Sequence, residues 1–325
     1  MTIDAQILTA LRASTGGVSG AELADELGVS RAAVWARVEE LRALGYDIEA
    51  SPHNGYRLLD VPDVLHADDL LSRLGKTRVV GRDIRVFQET TSTNDVIEKL
   101  ARDGVKEGAV VLAESQTKGR GRLGRKWMSP ARKGLWFSVL LRPRMRPQAI
   151  TQLTIASATA LVRAIRHQTG ITPEIKWPND ILIRGKKVAG ILTEMTAELD
   201  QVKRVILGIG VDVNLSANEF PADLRKQSTS LKIETGDTVD RAELAVAILR
   251  ELDHDYARIC SGEFEAVADE WEERCETIGR DVAIQVGERR VHGCAESLDA
   301  DGALLLRTLH GHLERIIGGD VTVEK

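Results

Sequence analysis

Residues 115–127 read SQTKGRGRLGRKW. Gly119, Gly121 and Gly124 have the spacing of a phosphate-cradling loop, and Lys118, Arg120, Arg122, Arg125 and Lys126 crowd the same stretch. Glycines let backbone amides approach an anion closely, and guanidinium forks match the oxygens of phosphate and carboxylate. A loop with both features can hold two anions together. Acyl-adenylate formation poses that problem, because a carboxylate must approach the α-phosphate of ATP. Cations there stabilise the developing charge, and a mobile loop shields the product from water. A solvated basic loop for nucleic acid has the same composition, and the loop alone does not separate the two. A dinucleotide-binding turn is excluded, because the strand AVVLAESQ precedes the glycines but no helix follows them. A kinase is excluded because neither HRDL nor DFG lies downstream.

A second constellation favours the nucleotide chemistry. Residues 174–180 read EIKWPND. The Trp-Pro pair predicts an extended turn after a short strand. Asn179 offers a donor and an acceptor to an adenine edge, and Asp180 is placed to hold Mg²⁺ near phosphates. GKKVAGIL follows, bringing Lys187 and Gly190 into a strand at the same site.

Three kinds of segment position these residues. In the first, apolar residues at helical spacing predict a helix over 3–13. Ser19 and Glu22 have capping-box spacing for a second helix that Gly28 ends. Ser30 caps a third, RAAVWARVEELRALG, with Val34, Val38, Leu41 and Leu44 inward. Trp35 stands where a polar base-reader is more usual, or else belongs to the core. Two alternating runs around Asn54-Gly55 then predict a β-hairpin. This is the order of a winged helix-turn-helix, with Arg31, Arg37 and Arg57 as candidate DNA contacts. Residues 1–60 carry five arginines against nine acidic residues. A single copy would therefore bind DNA weakly, and a protein-interaction role is the alternative.

Residues 61–68 read as a link. Beyond them strands and helices mix, with adjacent strands unseparated by helices, so the class is α+β. The last 50 or so residues are short strands and turns, a small antiparallel barrel or sandwich. The predicted domains are 1–62, 63–272 and 273–325.

The 325 residues are 43% hydrophobic and 29% charged, with net charge −5. That balance argues against a protein that mainly coats nucleic acid. Three scattered cysteines give neither a disulfide framework nor a zinc site. With no signal peptide or membrane-length apolar run read in the sequence, the expected location is the cytoplasm, with no membrane partner.

The sequence resembles the bifunctional biotin–protein ligases that are also biotin-operon repressors. The resemblance rests on SRAAV, NGY, TTSTN (90–94), GRGRLGRKW (119–127), KWPND (176–180), KVAGIL (187–192), GIGVDVNL (208–215) and the GALLL…GGDVTV end. It implies a class II synthetase-like central domain and an SH3-like C-terminal barrel. It also implies that Ser92, Thr93, Gln116, Gly119, Arg120, Arg122, Lys187 and Gly190 bind biotin. Lys187 would lie between the biotin carboxylate and the α-phosphate, with Arg120 and Arg122 sharing the catalytic work. Arg122, Arg125, Trp127, Lys176 and Asn179 would contact ATP or the adenylate, and Phe220 would cover it. The implied reaction makes biotinoyl-5′-AMP from biotin and MgATP, then biotinylates a lysine of a biotin carboxyl carrier protein. Adenylate would also promote a homodimer that binds operator DNA. A ligase whose winged domain binds no operator, a nucleic-acid regulator without enzyme activity, and a lipoyl or octanoyl transferase are the competing readings.

Overall fold

The computed structural model describes residues 1–198 and 200–323. Glu324 and Lys325, which end the expected C-terminal domain, lie outside the described residues. The chain forms two compact units, Met1–Lys76 and Thr77–Lys325.

The first unit contains α1 (Ile3–Ala13), α2 (Gly20–Leu27), α3 (Arg31–Ala43), β1 (Asp47–Ser51), β2 (Gly55–Asp60) and α4 (Ala67–Leu74). The helix starts follow the expected caps. Ser19 and Glu22 form the capping box of α2, and the Ser30 hydroxyl accepts the amide of Ala33 at 3.2 Å. Ile7, Leu8, Leu23, Val34, Val38 and Leu41 build the core. Leu44 departs from expectation: it is the C-cap of α3, past the last inward turn, and is 49% exposed. Trp35 is not core either, being 58% exposed. It follows Val34, so its side chain leaves the helix about 100° away from that buried position.

Strands β1 and β2 pair antiparallel as the wing, with Ser51 opposite Gly55. Gly55 has φ +69°, and a Cβ there would fall 2.2 Å from the carbonyl oxygen of Val18. The wing is thereby pinned to the segment before α2, where Tyr56 and Val18 exchange backbone hydrogen bonds of 2.8 and 2.9 Å. Helix α4 overlaps the expected link and belongs to this unit, so the division by compactness falls at 76/77 rather than 62/63. The physical reason is Arg12 of α1, which pairs with Asp69 and donates to the Ser72 hydroxyl at 2.6 Å.

The second unit begins with β3 (Asp83–Thr90), α5 (Thr93–Arg102), β4 (Ala109–Gln116), β5 (Gly134–Leu141) and α6 (Thr151–Thr169). Then come β6 (Glu174–Lys176), β7 (Asp180–Ile183), β8 (Lys186–Glu198), β9 (Gln201–Asp212), α7 (Leu231–Thr235), α8 (Arg241–Cys260) and α9 (Phe264–Glu272). Among the described residues these strands form one sheet, ordered β3-β4-β5-β9-β8-β7-β6. Only β3 and β4 pair in parallel, so the sheet is mixed, as expected.

The sheet has helices on both faces. On one, Ile97 and Ala101 of α5 pack against Val111, Leu140 and Ile206. On the other, Val139, Leu141 and Leu207 meet Leu153 of α6 and Leu252 of α8. Arg241 at the start of α8 reaches Glu114 of β4 through two hydrogen bonds of 2.6 and 3.3 Å. Their side chains are 0% and 2% exposed. The C-terminal strands β10 (Asp281–Val286), β11 (Arg289–Leu298), β12 (Leu304–Thr308), β13 (Leu313–Ile316) and β14 (Asp320–Val323) form a separate antiparallel sheet, ordered β13-β12-β11-β10-β14.

Candidate active site and DNA-reading face

The active-site candidate is a cleft of about 770 Å³ over the α5 side of the large sheet. Its floor is made by alternation along β9. Gly208, Gly210 and Asp212 are two residues apart and so share one face. A Cβ on Gly208 would lie 2.4 Å from Oδ1 of Asn94, and one on Gly210 would lie 2.5 Å from Nε1 of Trp127. Gly190 of β8 pairs with Gly210, and its Cβ would sit 3.0 Å from the same indole. The missing side chains let Trp127 lie directly on the sheet. Trp127 also meets Trp136 edge-to-face at 6.4 Å, and its Nε1 is buried without a partner among the described residues.

One wall is the N-terminus of α5. Ser92 and Thr93 line the cleft, and Gln116 accepts the Thr93 amide at 2.9 Å while donating to Ser129 at 2.8 Å. The Ser138 hydroxyl is shared between Thr93 Oγ1 (2.7 Å) and Asn94 Oδ1 (2.5 Å). These amides and hydroxyls offer donors and acceptors in a largely buried setting, which suits a neutral polar ligand group.

The opposite wall comes from β6–β8. The Trp177–Pro178 peptide bond is cis. Asn179 donates to the Ile191 carbonyl at 2.6 Å and accepts from Arg122 at 3.1 Å. Lys187 lies 2.6 Å from Asp180 and 5.1 Å from the Trp127 ring centroid. Asp212, 7% exposed, also lines the cleft. Burial pushes its carboxyl well above the ordinary carboxylate range, and the charge of Lys187 opposes that shift.

The glycine–arginine loop crosses the opening as a tight turn closed by Gly121 and Arg125. Arg120 pairs with Asp95 at 2.5 Å and Glu194 at 3.4 Å. Arg122 is more enclosed, donating to Asn179 and to the Gly319 carbonyl at 3.3 Å. Its burial lowers the guanidinium pKa from the ordinary value. Arg125 grips Asp320 at the start of β14 with both prongs of its guanidinium, one at 3.1 Å. The small C-terminal sheet therefore contributes directly to the cleft wall.

Comparisons with known proteins place the chain in a family. Residues 86–213 match the Biotin/lipoate A/B protein ligase family, 4–57 an HTH domain, and 277–323 the Biotin protein ligase C terminal domain. The chain is 40% identical to the bifunctional ligase/repressor BirA of Bacillus subtilis, over 94% of this chain and 93% of that protein. This chain belongs to the bifunctional biotin ligase/repressor family. It is also 35% identical to the biotin–[acetyl-CoA-carboxylase] ligase of Paracoccus denitrificans, over 68% of this chain and 93% of that one. Among solved structures, it resembles the biotin protein ligase of Aquifex aeolicus in complex with biotin and ATP. The TM-score is 0.64 at 30% identity, covering 75% of this chain and 99% of that one.

Within this family member, the cleft gathers Ser92, Thr93, Gln116, Arg120, Arg122, Arg125, Trp127, Lys176, Asn179, Asp180, Lys187, Gly190 and Phe220. Gly119 does not line it: a Cβ there would strike the Trp127 carbonyl at 2.4 Å, so that glycine serves close packing of the loop. Phe220 is 3% exposed and packs with Trp136 and Leu215. Asn94, Gly208, Gly210, Asp212 and Asp320 also line the cleft, although the sequence reading gave them no roles. All five fall inside motifs quoted above, and two-residue alternation in GIGVDVNL was the available signal for Gly208, Gly210 and Asp212. The proposed metal contact, Asp180, is paired with Lys187 in the cleft.

In the first unit, Arg31, Arg37 and Arg57 are all exposed or half-exposed. Arg37 pairs with Glu40 at 2.6 Å, and Arg57 with Glu49 at 3.1 Å. Among the described residues Arg31 forms no ion pair.

Proposed function

We propose that this chain activates biotin with ATP to biotinoyl-5′-AMP, transfers biotin to a lysine of a biotin carboxyl carrier protein, and represses biotin genes through its winged domain. The observation that carries the enzymatic reading is the convergence of Lys187, Arg122 and Asn179 on one cleft with the uncharged polar groups of Thr93 and Gln116. Thr93, Gln116 and Ser92 would satisfy the ureido carbonyl and N–H groups, while Trp127 and Leu192 flank the apolar part. Lys187 would face the carboxylate and α-phosphate as they approach, adding positive charge where negative charge concentrates. Arg120 and Arg122 would share that task, with Asn179 and Lys176 beside the base.

Mg²⁺ needs few protein ligands when phosphates supply the rest. Asp180 fits that role, since its carboxylate lines the cleft beside Lys187. When bound, the ion would neutralise phosphate charge. Transfer to the carrier lysine needs no covalent enzyme intermediate, because the mixed anhydride is already activated. Adenylate-promoted homodimerisation would double the DNA contacts of a net-acidic module, and a cytoplasmic location follows from these partners.

Biotin-dependent exchange of pyrophosphate into ATP tests the first step, and labelling of a carrier domain tests the second. Activity with lipoic or octanoic acid in place of biotin would overturn the substrate assignment. A gel-shift titration with a biotin-gene promoter duplex, with and without biotin and ATP, tests repression. No ligand-dependent shift would leave a ligase alone.

A further inference from the structure

Helix α3 presents an outer face made of Arg31, Ala32, Trp35 and Ala36, all exposed. Ala32, Trp35 and Ala36 stand at i, i+3 and i+4, so they share one face. The two alanines end at Cβ, which lets the helix backbone approach a surface closely and leaves the indole as its most prominent group. A 58%-exposed tryptophan gains little for the fold of this unit. The electrostatic contribution to DNA binding is weak here. Arg37 and Arg57 are paired with glutamates, and Arg42 pairs with Glu39 at 2.5 Å. Phosphate attraction that is weak must be supplemented by contacts to base edges.

In the major groove, the apolar feature that distinguishes one base pair from another is the C5-methyl of thymine, which small apolar and aromatic side chains contact. We infer that Trp35, flanked by Ala32 and Ala36, reads thymine methyl groups in the operator. This rests on the repressor reading and adds the base that α3 selects. Arg31, in the first turn beside the uncancelled amides of the helix N-terminus, then meets the neighbouring phosphate.

The test is a gel-shift titration of the full chain, with biotin and ATP, on a duplex from the promoter of the organism's own biotin genes. The duplex is made once with thymine and once with uracil at every thymine position, which removes only the methyl groups. Wild type should bind the uracil duplex about tenfold more weakly, in the range of one altered base contact. Trp35→Ala should bind the thymine duplex as weakly as wild type binds the uracil one, with little remaining difference between duplexes. Trp35→Phe should keep a thymine preference. Thermal melting of each variant checks that the module is folded. Equal binding of both duplexes by wild type, or an unchanged preference in folded Trp35→Ala, would overturn the inference while repression stands. Absence of any ligand-dependent shift would remove the repressor reading and this inference together. If Trp35→Ala instead loses binding equally on thymine, uracil and unrelated duplexes, α3 contacts a second copy or another protein, and the inference also fails.

Discussion

The ammonium of Lys187 rests 2.6 Å from a carboxylate oxygen of Asp180. Without substrates, a cation aimed into the cleft is neutralised by the residue assigned to the metal. Substrate anions must take over that pairing for adenylation to proceed. Lys187→Ala should therefore lower biotin-dependent pyrophosphate exchange about 100-fold or more, the scale of losing one charge-stabilising donor. Exchange within a few-fold of wild type would remove Lys187 from the catalytic assignment.

The glycine floor makes a steric prediction. In Gly210→Ala the new Cβ would overlap the Trp127 indole. The ring must lift from the sheet, at a cost of about 1–3 kcal/mol typical of overpacking. Intrinsic tryptophan fluorescence should shift and biotin affinity should fall. Unchanged binding and spectrum would show that the indole has room that the structure does not give it.

Asp212 should make stability depend on pH. Its folded-state pKa is raised by burial, against the pull of Lys187. The folded chain therefore holds that proton more tightly than the unfolded one. The resulting stabilisation is complete below the ordinary carboxylate value, about pH 4, and fades as pH rises through the raised value. Asp212→Asn cannot ionise and escapes that loss. Melting temperatures measured from about pH 4 to neutrality should diverge, with the variant gaining on wild type as pH rises. Parallel curves would contradict the assignment.

The buried pair of Arg241 and Glu114 should be intolerant of single replacement. Arg241→Met leaves the Glu114 carboxylate without its guanidinium in a dry interior, a change that costs about 3–5 kcal/mol. Replacing both by apolar residues of similar size should recover much of the loss. Urea unfolding of the single and double variants gives the comparison, and an equally unstable double variant would contradict this account.

The framework was legible where local chemistry and periodicity agree. Ser19, Ser30 and the alternating runs around Asn54-Gly55 place helices and strands because caps and pleats act within a few residues. The cleft was legible through loops whose residues carry charge or a special backbone. Less legible were residues whose role depends on register: Gly210 matters because β8 and β9 align it with Gly190. Asp320 lies 195 residues from its partner, Arg125, and no local pattern announces the pair. Trp35 was ambiguous because a neighbour of a buried helical position can turn inward or outward with a small rotation. The link read over 61–68 overlaps the start of α4, whose place is held by a distant partner, since Arg12 as well as Arg73 pairs with Asp69.

The tie between the arginine loop and the last strand also orders events during synthesis. The helices of the winged unit and the loop itself leave the ribosome long before Gly319 and Asp320 do. A nascent chain thus has the whole winged unit while the loop still lacks the two anchors held by Arg122 and Arg125. Chains cut short before residue 318 should retain that module without a properly tethered loop. On the proposed function, such chains would compete for DNA while their adenylate-forming loop stays untethered.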